Sequence, residues 1–219
     1  MRGVFVTGTG TEVGKTVVAA TVARTLASAG ERVGVFKPAV TGLDTQGAVA
    51  PDHELLRFAA CSEQSDDEIA PYRYGPAVAP HLGAELASET IDPARLRQVA
   101  QEAADGADVV VCEGVGGFLV PLTASYLVRD LARDLDLPVV IAAGPGLGTI
   151  NHTLLTIESV RSAGLEIAAV VLTPWPHCPT EVERSNREVI ARLGGVAVEV
   201  LPPLALDDPA GWPALHLGR

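Results

Sequence analysis

Short apolar runs alternate with amphipathic segments along most of the chain, and this alternation predicts its secondary structure. Apolar runs rich in Val, Ile and Ala that are bounded by Gly, Pro or charged residues are typical of buried parallel strands. Such runs predict six strands, at Val4–Thr7, Arg32–Lys37, Asp108–Glu113, Pro138–Ala143, Ile167–Thr173 and Ala197–Leu201.

Between these strands, segments with helical spacing and recognisable caps predict the helices. Gly30 and Gly164 are typical C-terminal stops, Asp92 with Pro93 is an N-terminal cap, and Thr180 with Glu183 forms a capping box. The predicted helices span 15–29, 51–61, 92–104, 125–135, 149–163 and 180–193, whereas 38–50 is predicted to be a loop, 62–90 is the least regular part and the C-terminal tail is rich in Pro.

The alternation of strands and helices predicts an α/β fold with a mainly parallel central sheet, helices on both faces and right-handed crossovers. The pattern contains no internal repeat and no linker, so we expect residues 1–219 to form a single domain. Hydrophobic residues make up 47% of the chain and aromatic residues only 4%. This composition favours parallel strands packed by aliphatic side chains.

The net charge of the chain restricts its possible binding partners, and the spacing of its cysteines indicates the redox state of its compartment. A net charge of −11 argues against a nucleic-acid partner or an anionic membrane surface. Cys61, Cys112 and Cys178 are widely spaced without a CxxC pair, which argues for a reducing compartment and against a zinc site. The first strand begins close to Met1, and no apolar run approaches the roughly 20 residues of a membrane span. We therefore expect a cytoplasmic protein with no membrane contact.

The strongest chemical motif is the loop Gly8–Thr16. Together with the last two residues of the preceding strand, it has the sequence VTGTGTEVGKT. A strand, a glycine-rich turn and Gly-Lys-Thr at the start of a helix cradle phosphates through backbone N–H groups and the positive end of the helix. The spacing from Gly8 to Gly14 is one residue longer than in the common pattern, but the strand and helix context supports the motif. We predict that Lys15 reaches nucleotide phosphates and that the Thr16 hydroxyl ligates Mg²⁺.

Lysine is used sparingly, which draws attention to a second position. The chain contains only Lys15 and Lys37, while arginine supplies the other basic side chains. A compact ammonium on a flexible stem suits sites where charge must follow a reacting group. We therefore predict a chemical role for Lys37, at the end of the second strand; the alternative is that a coding bias removed the other lysines.

Two carboxylates are candidates for the metal side of such a site. Glu113 ends an apolar strand, and the carboxyl ends of parallel strands are where open α/β sheets bind ligands. Gly114, Gly116 and Gly117 follow Glu113 and would let the backbone approach a substrate. Asp52 is a second candidate, although it is also the kind of acidic residue that commonly begins a helix.

Five motifs together resemble the dethiobiotin synthetase family over nearly the whole chain. In order, they are VTGTGTEVGKT, KPAVTG, PDHELL, CEGVGG and GLGTINHTLLT. The resemblance implies a P-loop NTPase-like domain and a homodimer. It also implies that ATP and Mg²⁺ drive the reaction of 7,8-diaminopelargonate with CO₂, through a carbamate and a carbamic–phosphoric anhydride, to the cyclic urea of dethiobiotin.

The resemblance also implies roles for individual residues, in four groups. Catalysis is assigned to Lys37, Lys15 and Thr11. Metal binding is assigned to Thr16, Asp52 and Glu113. The diamine or its carbamate is assigned to Thr41, Gly116, Gly117, Gly148, Thr149, Ile150 and Asn151. Nucleotide binding is assigned to Glu12, Val13, Gly14, Lys15, Thr16, Val17, Asp52, Glu113, Gly114, Val115, Gly116, Thr173, Pro174, Pro202, Pro203 and Leu204.

The sequence departs from the family where the base of the nucleotide is read. The family often has Asn after the fifth strand, but here Thr173 and Pro174 follow, so we expect weak base selectivity that could admit CTP. Trp175 either stacks on a base or packs. We expect His81 to shape a loop, with a substrate contact as the alternative, and His152 to cap or pack, with catalysis as the alternative. The acidic segment Glu63–Glu68 is predicted to be a solvated loop.

Three rival interpretations share the phosphate loop. Partitioning ATPases carry a signature Lys at the position of Gly10 and depend on a basic or amphipathic surface, which this acidic chain lacks. A cobyrinate-type amidase also carries a glutaminase domain, and we do not expect one within these 219 residues. A degenerate regulatory module is disfavoured because all five residues expected to act on phosphates, carbamate and metal are intact: Lys15, Thr16, Lys37, Asp52 and Glu113.

Overall fold

A computed structural model describes residues 1–45 and 50–217, so part of the predicted loop 38–50 lies outside the described residues. Six parallel strands form one sheet in the order β2-β3-β1-β4-β5-β6. The prediction of an α/β fold with a parallel sheet is confirmed. The strands are β1 Gly3–Gly8, β2 Val33–Phe36, β3 Val109–Glu113, β4 Val139–Ala143, β5 Ile167–Leu172 and β6 Val198–Val200.

Eight α-helices are assigned within the described residues. They are α1 Lys15–Ser28, α2 Asp52–Ala60, α3 Asp66–Ile69, α4 Pro80–Leu86, α5 Pro93–Asp105, α6 Val128–Leu135, α7 Thr149–Ser162 and α8 Glu181–Gly194. The predicted caps at Asp92 and Thr180 are present, and each side-chain oxygen accepts a hydrogen bond from a backbone N–H of its helix. None of these helices is long and apolar enough to cross a membrane.

Successive side chains of the strands point alternately into two apolar cores, one on each face of the sheet. Phe5, Cys112 and Ile141 point into the core shared with α5 to α8. Val6 and Val111, on neighbouring strands, point into the core shared with α1 and α2. Since both faces are covered, these strands consist almost entirely of apolar residues, as the sequence pattern predicted.

The segment 62–90 is more regular than predicted, because it contains α3 and α4. Ser65 and Glu68 form a capping box at α3, so the prediction of a solvated loop at Glu63–Glu68 was wrong for residues 66–68, which are helical. The prediction that His81 shapes a loop was also wrong, since His81 lies in the first turn of α4. Both helices are too short to show a period of their own in the sequence. Similarly, α6 begins at Val128, three residues after the predicted start at Ser125.

Gln64 covers the edge of the sheet at β2. Its carboxamide accepts a hydrogen bond from the Val35 N–H at 2.8 Å and donates one to the Val35 carbonyl at 3.1 Å. The chain then follows the end of the same strand, where the Lys37 N–H donates to the Ile69 carbonyl at 2.8 Å. A side chain thus supplies the pairing that a further strand would give, and it blunts an exposed strand edge.

The strand order places the phosphate loop beside two neighbouring strand ends. β1 lies between β3 and β4, so the loop after Gly8 emerges next to Glu113 on one side and Ala143 on the other. The strand order reverses direction at β1, and ligands bind at such switch points in open α/β sheets. Topology therefore gathers the predicted residues at one edge of the sheet.

Candidate nucleotide and substrate site

The phosphate loop joins β1 to α1, and two of its glycines are required by close packing. A Cβ on Gly8 would lie 2.7 Å from Val13 Cγ2 and 2.8 Å from Lys15 Cγ. Gly14 has a φ of 86°, and a Cβ there would lie 2.5 Å from Thr173 Cγ2. The second contact brings the end of β5 against the start of α1. The loop therefore has its tight form because glycine stands at both positions.

Lys15 lies at the first position of α1 and is only 8% exposed. Its ammonium folds back over the loop and donates to the Gly10 carbonyl at 2.6 Å. Burial lowers the pKa of Lys15, although the nearby Glu113 carboxylate opposes the shift. A buried cation at the positive end of a helix is an arrangement that attracts phosphate oxygens.

Lys37, Asp52, Glu113 and Thr16 form one polar cluster beside this loop. The Lys37 ammonium lies 2.5 Å from Glu113 Oε1 and 2.8 Å from Asp52 Oδ2. The Thr16 hydroxyl donates to the same Glu113 oxygen at 2.8 Å. The structure thus brings together the three predicted metal ligands and the predicted catalytic lysine. Asp52 is therefore the first residue of α2 and also an ion-pair partner of Lys37.

The cluster holds two carboxylates against one ammonium, and burial decides how the charges respond. Burial alone would lower the pKa of Lys37, but Glu113 and Asp52 outweigh it and the pKa is raised. Asp52 lies at the edge of the cluster, where Lys37 overcomes the effect of burial and lowers its pKa. Glu113 is fully buried, and burial raises its pKa despite the Lys37 ammonium. Within the cluster, the two carboxylates therefore share one ammonium, and Lys15 lies close enough to act on both of them.

The donor set is suited to Mg²⁺. Glu113 Oε2 is buried and has no hydrogen-bond partner among the described residues, so one carboxylate oxygen is free to accept a cation. Carboxylate and hydroxyl oxygens are hard ligands of the kind that Mg²⁺ prefers, with nucleotide phosphates supplying further ligands. In the part of the chain that the structure describes, no group of three or more His, Cys, Asp or Glu side chains could hold a metal alone.

A cavity of about 690 Å³ opens over this cluster and the phosphate loop. Most of the predicted catalytic, metal and phosphate residues line it, and so do two of the predicted substrate residues. The predicted residues in its wall are Thr11, Glu12, Gly14, Lys15, Thr16, Val17, Lys37, Thr41, Asp52, Glu113, Val115 and Gly116.

Several predicted residues do not line this cavity, and the structure places them in three groups around it. Val13 lies against Gly8 in the loop, Gly114 follows the end of β3, and a Cβ on Gly117 would lie 3.8 Å from the Gly8 carbonyl oxygen and 3.9 Å from Gly10 Cα. Thr173 contacts the phosphate loop, and the Trp175 N–H donates to the Leu201 carbonyl, so that 173–174 and 202–204 are neighbours. Gly148–Asn151 form the third group, at the start of α7.

The residues around the start of α7 differ in where their side chains point. The Thr149 side chain is buried and lies 3.3 Å from the Thr153 hydroxyl, so it does not face the cavity in this structure. The prediction that His152 caps or packs was wrong, because His152 is exposed and Gly148 is the N-cap. Leu147 is 96% exposed, which leaves a large apolar side chain beside this turn.

Part of the cavity wall was missed by sequence reasoning. Ala77–Pro80 line it, because the backbone of Val40 pairs with that of Tyr72 and Tyr74 and carries the following turn across the opening. Leu206 also lines it, since the C-terminal tail returns over α1. Small apolar residues carry no chemical signal in a sequence. Trp175 is partly buried against a core, which accords with the packing alternative.

Comparison with known proteins connects this geometry to a family. Residues 2–206 match the family model described as an AAA domain. The chain is 37% identical to the ATP-dependent dethiobiotin synthetase BioD of Bacillus subtilis (strain 168) over 94% of this chain and 89% of that protein. It is 36% identical to the protein of that name from Bacillus licheniformis, over 99% of this chain and 92% of the other. The chain belongs to the dethiobiotin synthetase family.

This membership confirms the family identified from the motifs and the expectation of an ATP-dependent enzyme of this type. A wider likeness supports the P-loop fold. The signal recognition particle receptor FtsY from Elizabethkingia anophelis superposes with a TM-score of 0.53 at 16% identity, covering all of this chain and 62% of that one. At that identity the likeness concerns the fold alone.

Proposed function

We propose that this protein is an ATP- and Mg²⁺-dependent dethiobiotin synthase that closes 7,8-diaminopelargonate and CO₂ into a cyclic urea during biotin biosynthesis. The observation that carries the proposal is the convergence of Lys15 and Lys37 on one cavity with Thr16, Asp52 and Glu113. Membership in the dethiobiotin synthetase family supplies the substrates.

The proposed reaction has three steps. One amine of the diamine takes up CO₂ and loses a proton to give a carbamate. A carbamate oxygen then attacks the γ-phosphate of ATP, which releases ADP and leaves a carbamic–phosphoric anhydride. The second amine attacks the carbamate carbon, loses a proton and expels phosphate, which closes the ring.

Charge stabilisation by the two lysines is the main contribution that we propose for the protein. Negative charge gathers on the transferring phosphoryl group and on the carbamate oxygens, and preorganised cations in a partly buried site stabilise such charge. Lys15, on the phosphate loop, is suited to the phosphates. Lys37, which is 2% exposed and lines the same cavity, is suited to the carbamate, together with the Thr11 and Thr41 hydroxyls in the wall.

Thr16, Asp52 and Glu113 are the residues that would hold Mg²⁺. The ion would neutralise oxygens of the β- and γ-phosphates when bound. The free Oε2 of Glu113 supports this assignment. Gly116 and Gly117 would let the diamine approach the backbone beside the phosphate loop, and the start of α7 would bind its carboxylate across a homodimer interface.

The deciding experiment measures phosphate release with each substrate omitted in turn. We expect release to require both diaminopelargonate and bicarbonate, and to match dethiobiotin formation in amount. Rapid ATP turnover without the diamine, stimulated by lipid or DNA, would overturn the proposal in favour of a partitioning ATPase.

We also propose that the enzyme discriminates weakly between nucleotide bases. Thr173 and Pro174 stand where the family often has Asn, and a pocket without matched polar groups cannot strongly reject another base. Competition binding should therefore show CTP and ATP within about a thousandfold of each other. A larger preference for ATP would contradict this prediction.

A further inference from the structure

The Lys37 ammonium lies between the two carboxylates that would hold the proposed metal. The ammonium lies 2.5 Å from Glu113 Oε1 and 2.8 Å from Asp52 Oδ2, and Thr16 donates to the same Glu113 oxygen. Two of the three proposed metal ligands therefore contact the ammonium, and the third donates to a carboxylate oxygen that the ammonium also contacts. The lysine that we assign to the carbamate is bound here to the metal side of the site.

This arrangement has a physical cause. Glu113 is fully buried and Lys37 is only 2% exposed. A buried carboxylate without a nearby cation is strongly destabilising, so the ammonium stabilises the cluster when no metal is bound. Mg²⁺ needs oxygen ligands at about 2.1 Å and would use the same carboxylates. A divalent cation beside the ammonium would also repel it.

We propose that Lys37 is a stand-in cation: it holds Asp52 and Glu113 in place before metal binds, and it is displaced into the cavity when a divalent cation takes its position. Lys37 lines the cavity, so its flexible stem has space into which the ammonium can turn. Metal loading would then free the ammonium for the carbamate. The inference rests on the proposed function for the metal ligands and for the role of Lys37 toward substrate.

The chain is well suited to a direct test, because it contains only two lysines. Protein labelled with ¹⁵N at lysine Nζ should give two side-chain signals, and Lys15→Arg assigns them. With ADP and EDTA present, the Lys37 Nζ hydrogens should exchange slowly with solvent because both carboxylates accept from them. Replacing EDTA with excess Mg²⁺ should shift the Lys37 signal and speed that exchange. A Lys37 signal that does not respond to Mg²⁺ overturns the inference.

A second measurement follows Mn²⁺ binding to the complex of the protein with ADP by electron paramagnetic resonance. Lys37→Met removes the competing cation, so Mn²⁺ affinity should rise about tenfold, the scale on which one neighbouring charge shifts a binding equilibrium. The same variant should melt at a lower temperature than wild type without metal and recover more on adding Mn²⁺. The matched control is Arg32→Met, which removes a cation paired with Asp108 at the surface. Unchanged or weaker Mn²⁺ binding by Lys37→Met overturns the inference.

These results separate the inference from the function on which it rests. If wild-type protein forms dethiobiotin with Mg²⁺ while the Lys37 signal does not change on adding metal, the proposed function stands and the displacement of Lys37 is wrong. If the metal displaces Lys37 but no dethiobiotin forms, the displacement stands and the assigned reaction is wrong.

Discussion

Both lysines of the chain, Lys15 and Lys37, lie in the wall of one cavity, where their ammonium groups are available to the proposed chemistry. The Lys37 ammonium is paired with Glu113. The pairing of Lys37 with Glu113 could not be predicted, because 76 positions separate them and only the neighbouring strands β2 and β3 bring them together. Roles that follow from residue type were therefore accessible, whereas partners set by topology were not.

Substitution of Lys37 tests whether the ammonium itself is required. We expect Lys37→Ala to lower kcat by about 10²–10³, the usual loss for one preorganised charge-stabilising donor. Lys37→Arg keeps the charge, but a planar guanidinium cannot replace a compact ammonium between two carboxylates, so activity should not return. Steady-state kinetics on variants with native circular dichroism spectra would check this. Near-normal activity of Lys37→Arg would mean that the scarcity of lysine reflects coding bias.

The phosphate loop offers a matched pair of glycines. Gly14→Ala should lower the free energy of unfolding by more than about 1 kcal/mol, because alanine is strained at a φ of 86° and its Cβ would meet Thr173 Cγ2. Urea denaturation of Gly14→Ala would measure the loss, and adding Thr173→Ser should restore the part caused by the clash. Gly10→Ala is the control, since a Cβ there meets nothing within 4 Å. Equal stability of Gly14→Ala and Gly10→Ala would refute the packing argument.

Secondary-structure elements were predictable where a long period or a cap marked them. The strands and α1, α5, α7 and α8 lie within one or two residues of their predicted bounds. By contrast, α3 has a single turn, and its acidic residues follow the same pattern as a solvated loop. The role of Gln64 at the edge of β2 was also hidden, because a side chain that mimics a strand leaves no periodic signal.

That role gives a prediction about stability. Gln64→Ala leaves the buried Val35 N–H and carbonyl without their partner, so the free energy of unfolding should fall by about 1–3 kcal/mol. Chemical denaturation would measure it. The control is Gln98→Ala, which removes an exposed side-chain hydrogen bond to Glu102 on α5 and should change stability by less than about 0.5 kcal/mol. Similar values for the two variants would show that Gln64 does not stabilise the strand edge.

At the scale of the whole molecule, the residues proposed for the phosphates and the metal line one cavity, whereas those proposed for the substrate carboxylate lie outside it. Gly148–Asn151 do not line the cavity described here, which is why the resemblance to the family, and not the fold of one chain, motivates a homodimer. Thr149 is buried, so a charged substitution there would disturb folding as well as binding. A test of assembly should therefore use an exposed neighbour of this turn.

Leu147 is that neighbour, because it is 96% exposed and contributes little to the fold of a single chain. If two copies pair through this turn, Leu147→Glu places a charge in the interface and should convert the protein to a monomer. The diamine would then lose the partner's anion site, so its KM should rise while ATP binding persists. Analytical ultracentrifugation and kinetics would report both effects. Leu86→Glu is the control, because Leu86 is also an exposed leucine and lies at the end of α4, so the substitution should leave mass and KM unchanged. A wild-type protein that is monomeric and active, or a Leu147→Glu variant with unaltered mass and KM, would show that substrate is bound within one chain.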